Sequence, residues 1–138
     1  MLLAEDVWTL LRTVHDDPVM EERLGYLQAD LEAFADGQPI HPKYLFLLSP
    51  IRDATWEIRS VRPDPSIRVL GFFAQRDSFV ATNFALRGDL GGWNSREWKD
   101  AKRLAKARWR FLFGTFEPLT STKPSELVSG AINGKYFK

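Results

Sequence analysis

Five basic residues recur in the last third of the chain at a spacing that could bind phosphates. They follow one another at intervals of three or four residues: Arg96, Lys99, Arg103, Lys106 and Arg110. At about 100° per residue, such intervals place side chains on one face of a helix. Only two acids, Glu97 and Asp100, balance the run. The pattern favours a ridge that binds nucleic acid, and the alternative is a solvated helix face.

Three more arginines lie in or beside segments with strand-like composition. Arg59 and Arg68 interrupt runs of β-branched and aromatic residues, and Arg87 follows another such run. A guanidinium can bind two phosphate oxygens at once, so these residues are candidates for phosphate recognition. The alternative is pairing with Glu57, Asp53 or the acidic helices. The register of the first hairpin decides whether Arg59 and Arg68 share a face, and the sequence leaves that register open.

The remaining chemistry-bearing residues are sparse. The chain has no cysteine, so it has no thiolate nucleophile and no disulfide, and its two histidines, His15 and His41, stand far apart. We therefore expect no metal and no cofactor. The longest apolar run, near 44–48, is too short for a membrane span, and acids stand where a secretory signal needs basic residues. These features predict a cytoplasmic protein without a membrane partner.

Charge is distributed unevenly along the chain. Residues 1–57 hold 11 acids and 4 bases, a net charge of −7, whereas residues 58–138 hold 7 acids and 15 bases, a net charge of +8. A basic half in a protein of net charge +1 indicates a polyanionic partner on one side, or else chance clustering of solvated charge.

The elements that must position these residues begin with two helices. The first is predicted over 4–14. The second opens at Asp17-Pro18, an N-cap followed by a proline at the first helical position, and closes at Gly37. One apolar stripe runs along it: Met20, Leu24, Leu27, Leu31 and Phe34. The two helices are expected to pack as a hairpin.

Short strands follow. Segments 56–59, 67–74 and 78–86 are rich in β-branched and aromatic residues and are separated by turn residues, which predicts an antiparallel meander. The stretch 38–53 contains three prolines around an apolar centre and is either a fourth strand or a buried helical turn.

A glycine-rich loop at 88–92 precedes the basic helix, for which Asn94 and Glu97 form a predicted capping box. The buried face of this helix is predicted from five apolar residues: Trp98, Ala101, Ala105, Trp109 and Leu112. Periodicity fades beyond Gly114, so 118–138 is predicted to be a partly ordered tail with a short helix over 125–131. The expected class is α+β, with two N-terminal helices packed on a small antiparallel sheet, then the basic helix and an irregular tail.

The order of these segments resembles the RelE/HigB-like toxins of type II toxin–antitoxin systems, especially their phage-derived branch. The phrases that carry the resemblance are WEIR at 56–59, SIRVLGFF at 66–73 and SFVATNFALRGD at 78–89, followed by the basic helix. The resemblance covers roughly 7–110, and its motifs are short and degenerate. It implies a RelE-like domain over 1–113 and a C-terminal extension over 114–138, either part of the same domain or partly ordered.

The resemblance also implies site residues. Arg59 resembles the arginine that closes the family's second strand, and Arg68 resembles the third-strand arginine that contacts the region of the scissile phosphate. Arg87 stands near the family's basic cluster after the last strand, so these three are the implied catalytic residues. Lys43 corresponds to a lysine in the loop before the sheet. With Lys43, the predicted RNA-binding set consists of Arg96, Lys99, Lys102, Arg103, Lys106 and Arg110. The chain departs from the family pattern in having no evident strand before its first helix and no assignable catalytic tyrosine or histidine, Tyr136 being a candidate by location alone.

The activity implied by the resemblance is metal-free cleavage of mRNA through the 2′-hydroxyl, with arginines stabilising the pentavalent phosphate. Its partners would be mRNA, the ribosome if cleavage is ribosome-dependent, and a cognate antitoxin of the helix-turn-helix type. The alternative is a non-catalytic nucleic-acid-binding or phage adaptor protein on the same scaffold.

Overall fold

A computed structural model describes residues 1–13, 16–38, 44–60 and 67–129 of the chain. Within these ranges the protein is α+β, with five strands and five helices. In chain order they are β1 (Leu2–Leu3), α1 (Glu5–Arg12), α2 (Pro18–Ala35), β2 (Leu45–Leu47), β3 (Trp56–Arg59), β4 (Ile67–Gln75), β5 (Ser78–Leu86), α3 (Arg87–Leu90), α4 (Arg96–Phe113) and α5 (Pro124–Leu127). A 3-10 turn, Ile51–Asp53, joins β2 to β3.

The five strands form one mixed sheet in the order β1-β5-β4-β3-β2. Strands β2 to β5 pair antiparallel, as predicted for the meander, whereas β1 runs parallel to β5. The prediction that the two helices come first and that the sheet is antiparallel was therefore wrong. Strand β1 has only two residues and is defined by pairing with Val80 and Ala81, a contact that cannot be predicted from the local sequence pattern. A strand before the first helix, which the sequence did not reveal, is thus present.

The sheet separates two apolar layers. Trp56, Ile58 and Val69 point to the face that carries α1 and α2, where they pack with residues such as Val7 and Leu27. On the other face, Leu70, Phe72 and Val80 pack against α4 through Trp98, Ala105 and Trp109. Because successive strand residues point to opposite faces, β4 supplies both layers. The acidic helices and the basic helix therefore lie on opposite sides of one sheet.

The helix α2 follows its sequence signals closely. The Asp17 side chain accepts a hydrogen bond from the Val19 amide at 2.9 Å, and Pro18 occupies the first helical position. The predicted apolar stripe is confirmed, since Leu24, Leu27, Leu31 and Phe34 are all buried.

The helix α4 differs from prediction at both ends. Its N-cap is Ser95, whose hydroxyl accepts from the Trp98 amide at 3.2 Å, and not Asn94. At its C-terminal end, Leu112 is about half exposed and Phe113 packs on the sheet layer instead. The helix ends at Phe113, and Gly114 closes it with a φ of 60°.

The segment after α4 belongs to the same packed unit over its described part. Leu127 and Val128 are buried in the layer beneath α1 and α2, and the Leu119 amide donates to the Phe73 carbonyl at 2.8 Å. Apart from α5, residues 114–128 contain no helix or strand, in agreement with the expected irregular segment, and α5 is shorter than the predicted helix over 125–131. The rest of that predicted helix, 130–131, lies outside the described residues.

The structure also defines two segments that the sequence described only loosely. The centre of 38–53 is the short strand β2, one of the two alternatives left open. The glycine-rich stretch at 88–92 begins with α3, whose Leu90 is 2% exposed, so it is anchored to the core on the α4 side of the sheet.

Candidate nucleic-acid interface

The hairpin register settles the question left open for the strand arginines. Arg59 on β3 lies directly opposite Arg68 on β4, so both side chains point to the same face of the sheet. This is the face that carries α4, because Ile58 and Val69, their neighbours in sequence, point to the other layer. Two like charges in directly opposed positions repel one another, so a balancing group is required.

That group is Glu57, two residues before Arg59 on the same face. Its carboxylate is fully buried, and its Oε1 accepts from the Arg59 Nε at 2.7 Å and lies 3.7 Å from a terminal nitrogen of Arg68. The arginine side chains are 18% and 13% exposed. The result is a cluster of two cations and one anion at the end of β3 and the start of β4.

An aromatic ring also holds Arg59. The guanidinium carbon lies 3.7 Å from the ring centroid of Phe46, which stands beside Glu57 on the neighbouring edge strand β2 and is about two-fifths exposed. A cation stacked on an aromatic face and bonded to a carboxylate is fixed in one orientation. The guanidinium is therefore preorganised, with Phe46 between it and solvent on one side.

Arg87 lies at the same end of the sheet, because Arg68 pairs with Ala85 and Arg87 follows two residues later. Its guanidinium donates to the Gly91 carbonyl at 2.8 Å and stands 5.8 Å from the centroid of Trp93. Trp93 in turn stacks on Trp98 at 4.8 Å. Trp93 thus braces the loop that leads into α4, and it is still about half exposed.

The predicted basic ridge on α4 is present but partly neutralised. Arg96 and Arg103 both pair with Asp100, at 3.7 and 3.2 Å. Lys99 and Arg110 are exposed and make no ion pair within the described residues. The exposed pairs contribute little to stability, about 0.5 kcal/mol each at most. The open cations, Lys99 and Arg110, are therefore the ones best placed to contact phosphates.

Two lysines of the set bind the protein itself. Lys102 donates to the Ser49 carbonyl at 2.7 Å, and Lys106 pairs with Asp53 at 2.9 Å. Both contacts tie α4 to the connection between β2 and β3, so these residues hold the helix against the sheet as well as adding positive charge. Lys43, the remaining member of the predicted set, lies outside the described residues, as do His15, His41 and Tyr136.

Neither a metal centre nor a membrane span emerges from the described ranges. Across 1–13, 16–38, 44–60 and 67–129, no three His, Cys, Asp or Glu side chains are grouped as metal ligands would be. Within the same part of the chain, every helix is too short or too polar to traverse a bilayer.

Sequence reasoning missed several residues that shape this surface. Phe46 and Arg52 sit in the proline-interrupted segment whose structure the sequence left undecided. Arg108 donates to the Thr82 carbonyl at 2.8 Å and pairs with Asp6, so it ties α4 to α1 around the β5 edge. Its position between the apolar and basic stripes of α4 could have marked it as a bridging residue.

Comparison of the chain with protein-family models, with curated proteins and with solved structures gave no match. A function must therefore be inferred from the arginine cluster, the basic helix and the order of the sequence motifs.

Proposed function

We propose that this chain is an RNA-cleaving toxin of the RelE/HigB-like kind, acting on mRNA and neutralised by a cognate antitoxin. The observation that carries the proposal is the cross-strand pair of Arg59 and Arg68 around the buried Glu57. Strands rarely place two arginines face to face, and here the pair is fixed in position beside a basic helix. The reaction class is proposed from the order of the sequence motifs, which resembles that of the family.

In this reaction the 2′-oxygen of a ribose loses its proton and bonds to the adjacent phosphorus, and the bond to the 5′-oxygen of the next nucleotide breaks. The products are a cyclic phosphate and a new 5′-hydroxyl. Charge builds up on the non-bridging oxygens at the pentavalent stage, and preorganised cations lower the barrier there. Arg68, supported by Arg59, is assigned this task, with Arg87 at the same end of the sheet.

The test is induced expression followed by mapping of mRNA ends. Arg68→Ala should abolish growth inhibition, since loss of one preorganised donor lowers the rate by roughly two to three decades. Arg68→Lys should recover little, because lysine cannot bind two oxygens with a planar fork. Arg12→Ala, on the opposite side of the sheet, is the control and should remain toxic. Circular dichroism establishes that each variant folds. Full toxicity in a folded Arg68→Ala protein would contradict the mechanism.

A second candidate, an RNA-binding protein without cleavage activity, is favoured by the two contacts of Arg59. The guanidinium of Arg59 already donates to Glu57 and stacks on Phe46, so it has fewer directions left for a phosphate. Mapping distinguishes the two candidates. New mRNA ends on induction support the toxin, whereas RNA binding in a gel shift with no new ends supports the binding protein.

The antitoxin is tested separately. Co-expression of the neighbouring open reading frame should restore growth if it encodes the neutralising partner, and a small helix-turn-helix protein is expected there. Continued inhibition in its presence would remove that partner from the proposal.

A further inference from the structure

A cleft of about 480 Å³ lies between the C-terminal half of α4, the 3-10 turn at Ile51–Asp53 and the segment 114–120. Phe72 and Trp109, both buried, form its apolar floor, and Phe116, 57% exposed, forms one wall. A volume of this size is typical of sites that enclose a small organic molecule. The wall comes from the segment beyond Arg110, for which the RelE-like resemblance offers no counterpart.

The wall of the cleft is held in place by the sheet and the helix. Gly114 ends α4 with a positive φ, which turns the chain back over the helix. The indole N–H of Trp109 then donates to the Phe116 carbonyl at 2.8 Å, and the Leu119 amide donates to the Phe73 carbonyl at 2.8 Å. Phe116 is therefore presented from a segment fixed on both sides.

The charges at the cleft favour an anion. Its lining includes Arg52, Lys106 and Arg110 against Asp53 and Glu117. Lys106 and Asp53 satisfy each other at 2.9 Å. Arg52 and Arg110 are exposed, and neither forms an ion pair within the residues that the structure describes. Two arginines therefore face one remaining acid at the mouth of a pocket with aromatic walls.

We propose that this cleft binds a nucleotide, with its phosphate on Arg52 and Arg110 and its base stacked on Phe116. A guanidinium group can donate two parallel hydrogen bonds to phosphate oxygens, and an exposed aromatic ring can stack on the face of any base. The nucleotide is either a free mononucleotide or one unit of a single-stranded RNA. Phe72 follows Arg68 by four residues on β4, roughly 13 Å along the strand, so the cleft is distinct from the arginine pair.

The experiment measures binding of AMP, inorganic phosphate and adenosine by calorimetry, with the Trp109 indole N–H followed by NMR. AMP should bind at least about tenfold more tightly than either fragment, because only AMP engages both the arginines and the ring. The Trp109 signal should shift on titration with AMP. Equal affinity for phosphate alone or for adenosine alone would overturn the proposal. The measurement involves no cleavage, so it succeeds or fails independently of the toxin activity.

Variants locate the site. Arg52→Ala combined with Arg110→Ala should weaken AMP binding by about tenfold or more, and Phe116→Ala should weaken it by about tenfold. Two controls match these changes away from the cleft. Arg12→Ala removes one arginine from the opposite side of the sheet, and Phe111→Ala removes the most exposed phenylalanine of α4. Equal losses in the controls and the cleft variants would refute the site.

An oligoadenylate of five nucleotides distinguishes the two sources of the ligand. If the cleft holds one unit of a strand, the oligonucleotide binds more tightly than AMP and loses affinity in the same variants. If the cleft takes only a free nucleotide, the cleft variants leave oligonucleotide binding unchanged, whatever affinity the oligonucleotide has for the rest of the basic face. In either case the Trp109 signal reports occupancy, and an unshifted Trp109 signal with both ligands would reject the cleft as the site.

Discussion

At the scale of single residues, Glu57 decides whether the two arginines can face each other. Burying a carboxylate is unfavourable unless cations and hydrogen bonds compensate it, and here Arg59 and Arg68 do so from neighbouring strands. The same arrangement fixes both guanidinium groups in position. Under the proposed function, structural and catalytic roles would coincide in this cluster, so stability measurements must accompany any test of activity.

Removing the carboxylate tests whether Glu57 stabilises the facing pair of arginines. Glu57→Ala should destabilise the protein by about 3 kcal/mol, the low end for a broken buried ion pair because the arginine ends reach solvent. Urea unfolding measures the change. Glu57→Gln keeps an acceptor for Arg59 and should lose less. Glu22→Ala, an exposed acid on α2, should change stability by no more than about 0.5 kcal/mol. An equally small effect at Glu57 would show that the arginines need no buried partner.

A second residue-scale feature is Asp77, which holds the C-terminal segment on the β4–β5 turn. The hydroxyl and the amide of Ser129 both donate to its carboxylate, the amide at 2.7 Å. These hydrogen bonds, of which the one from the hydroxyl has the larger effect, lower the pKa of Asp77 below its ordinary value. The positive charge of Arg76 lowers the pKa further. Because the pKa is depressed in the folded state, the stabilisation is present above the unfolded pKa and is lost as pH falls through the folded one.

Asp77→Asn should accordingly lower the melting temperature at pH 7. The difference from the natural chain should shrink as pH falls below about 4, where the carboxyl of the unfolded chain becomes protonated. Thermal unfolding between pH 2 and 8 measures it. A difference that stays constant across that range would show that the hydrogen bonds to Ser129 do not depend on the charge of Asp77.

At the scale of elements, sequence patterns predicted the elements with strong local signals and missed those defined by distant contacts. The strands β3 to β5 and the helix α2 follow from their periodicity and caps, and α4 was placed correctly apart from its ends. Strand β1 exists only because it pairs with β5, almost 80 residues away. The cluster around Arg59 and Arg68 could not be predicted, because it requires a hairpin register that composition does not fix. The Phe116 wall could not be predicted either, because its segment has no periodicity.

The close packing of β4 against β5 gives an element-scale prediction. A Cβ at Gly71 would lie 2.1 Å from the Val80 carbonyl oxygen and 2.6 Å from the Phe79 ring, beside the register shift of the hairpin. Gly71→Ala should therefore destabilise the protein by about 3 kcal/mol or more in urea unfolding. Gly25→Ala is the matched control, since Gly25 lies in α2 with open space around it.

The control has the opposite expected sign. Alanine is favoured over glycine in a helix interior, so Gly25→Ala should stabilise the protein by about 0.5–1 kcal/mol. If Gly71→Ala also stabilised the protein by a similar amount, backbone entropy would outweigh the steric contacts at Gly71.

At the scale of the whole molecule, the sheet separates charges of opposite sign. Helices α1 and α2 together hold six acids and two bases on one side, whereas α4 holds seven bases and two acids on the other. The asymmetry between the two halves of the sequence thus becomes an asymmetry between two faces. A polyanion approaching the protein is repelled on one face and attracted on the other, which orients it before any specific contact forms.

This orientation predicts which cations set the salt dependence of RNA binding. Each cation that contacts single-stranded RNA contributes a slope of about −0.7 in log K against log salt concentration. Lys99→Gln should therefore reduce the slope by about 0.7, because Lys99 is open to solvent on the basic face. Arg103→Gln should reduce it less, since Asp100 already offsets Arg103. Arg12→Gln, on the acidic side, should leave the slope unchanged. Fluorescence anisotropy of a labelled 20-nucleotide RNA between 50 and 300 mM salt measures the slope for all three variants. If Lys99→Gln and Arg12→Gln reduced the slope equally, RNA would bind without a preferred face.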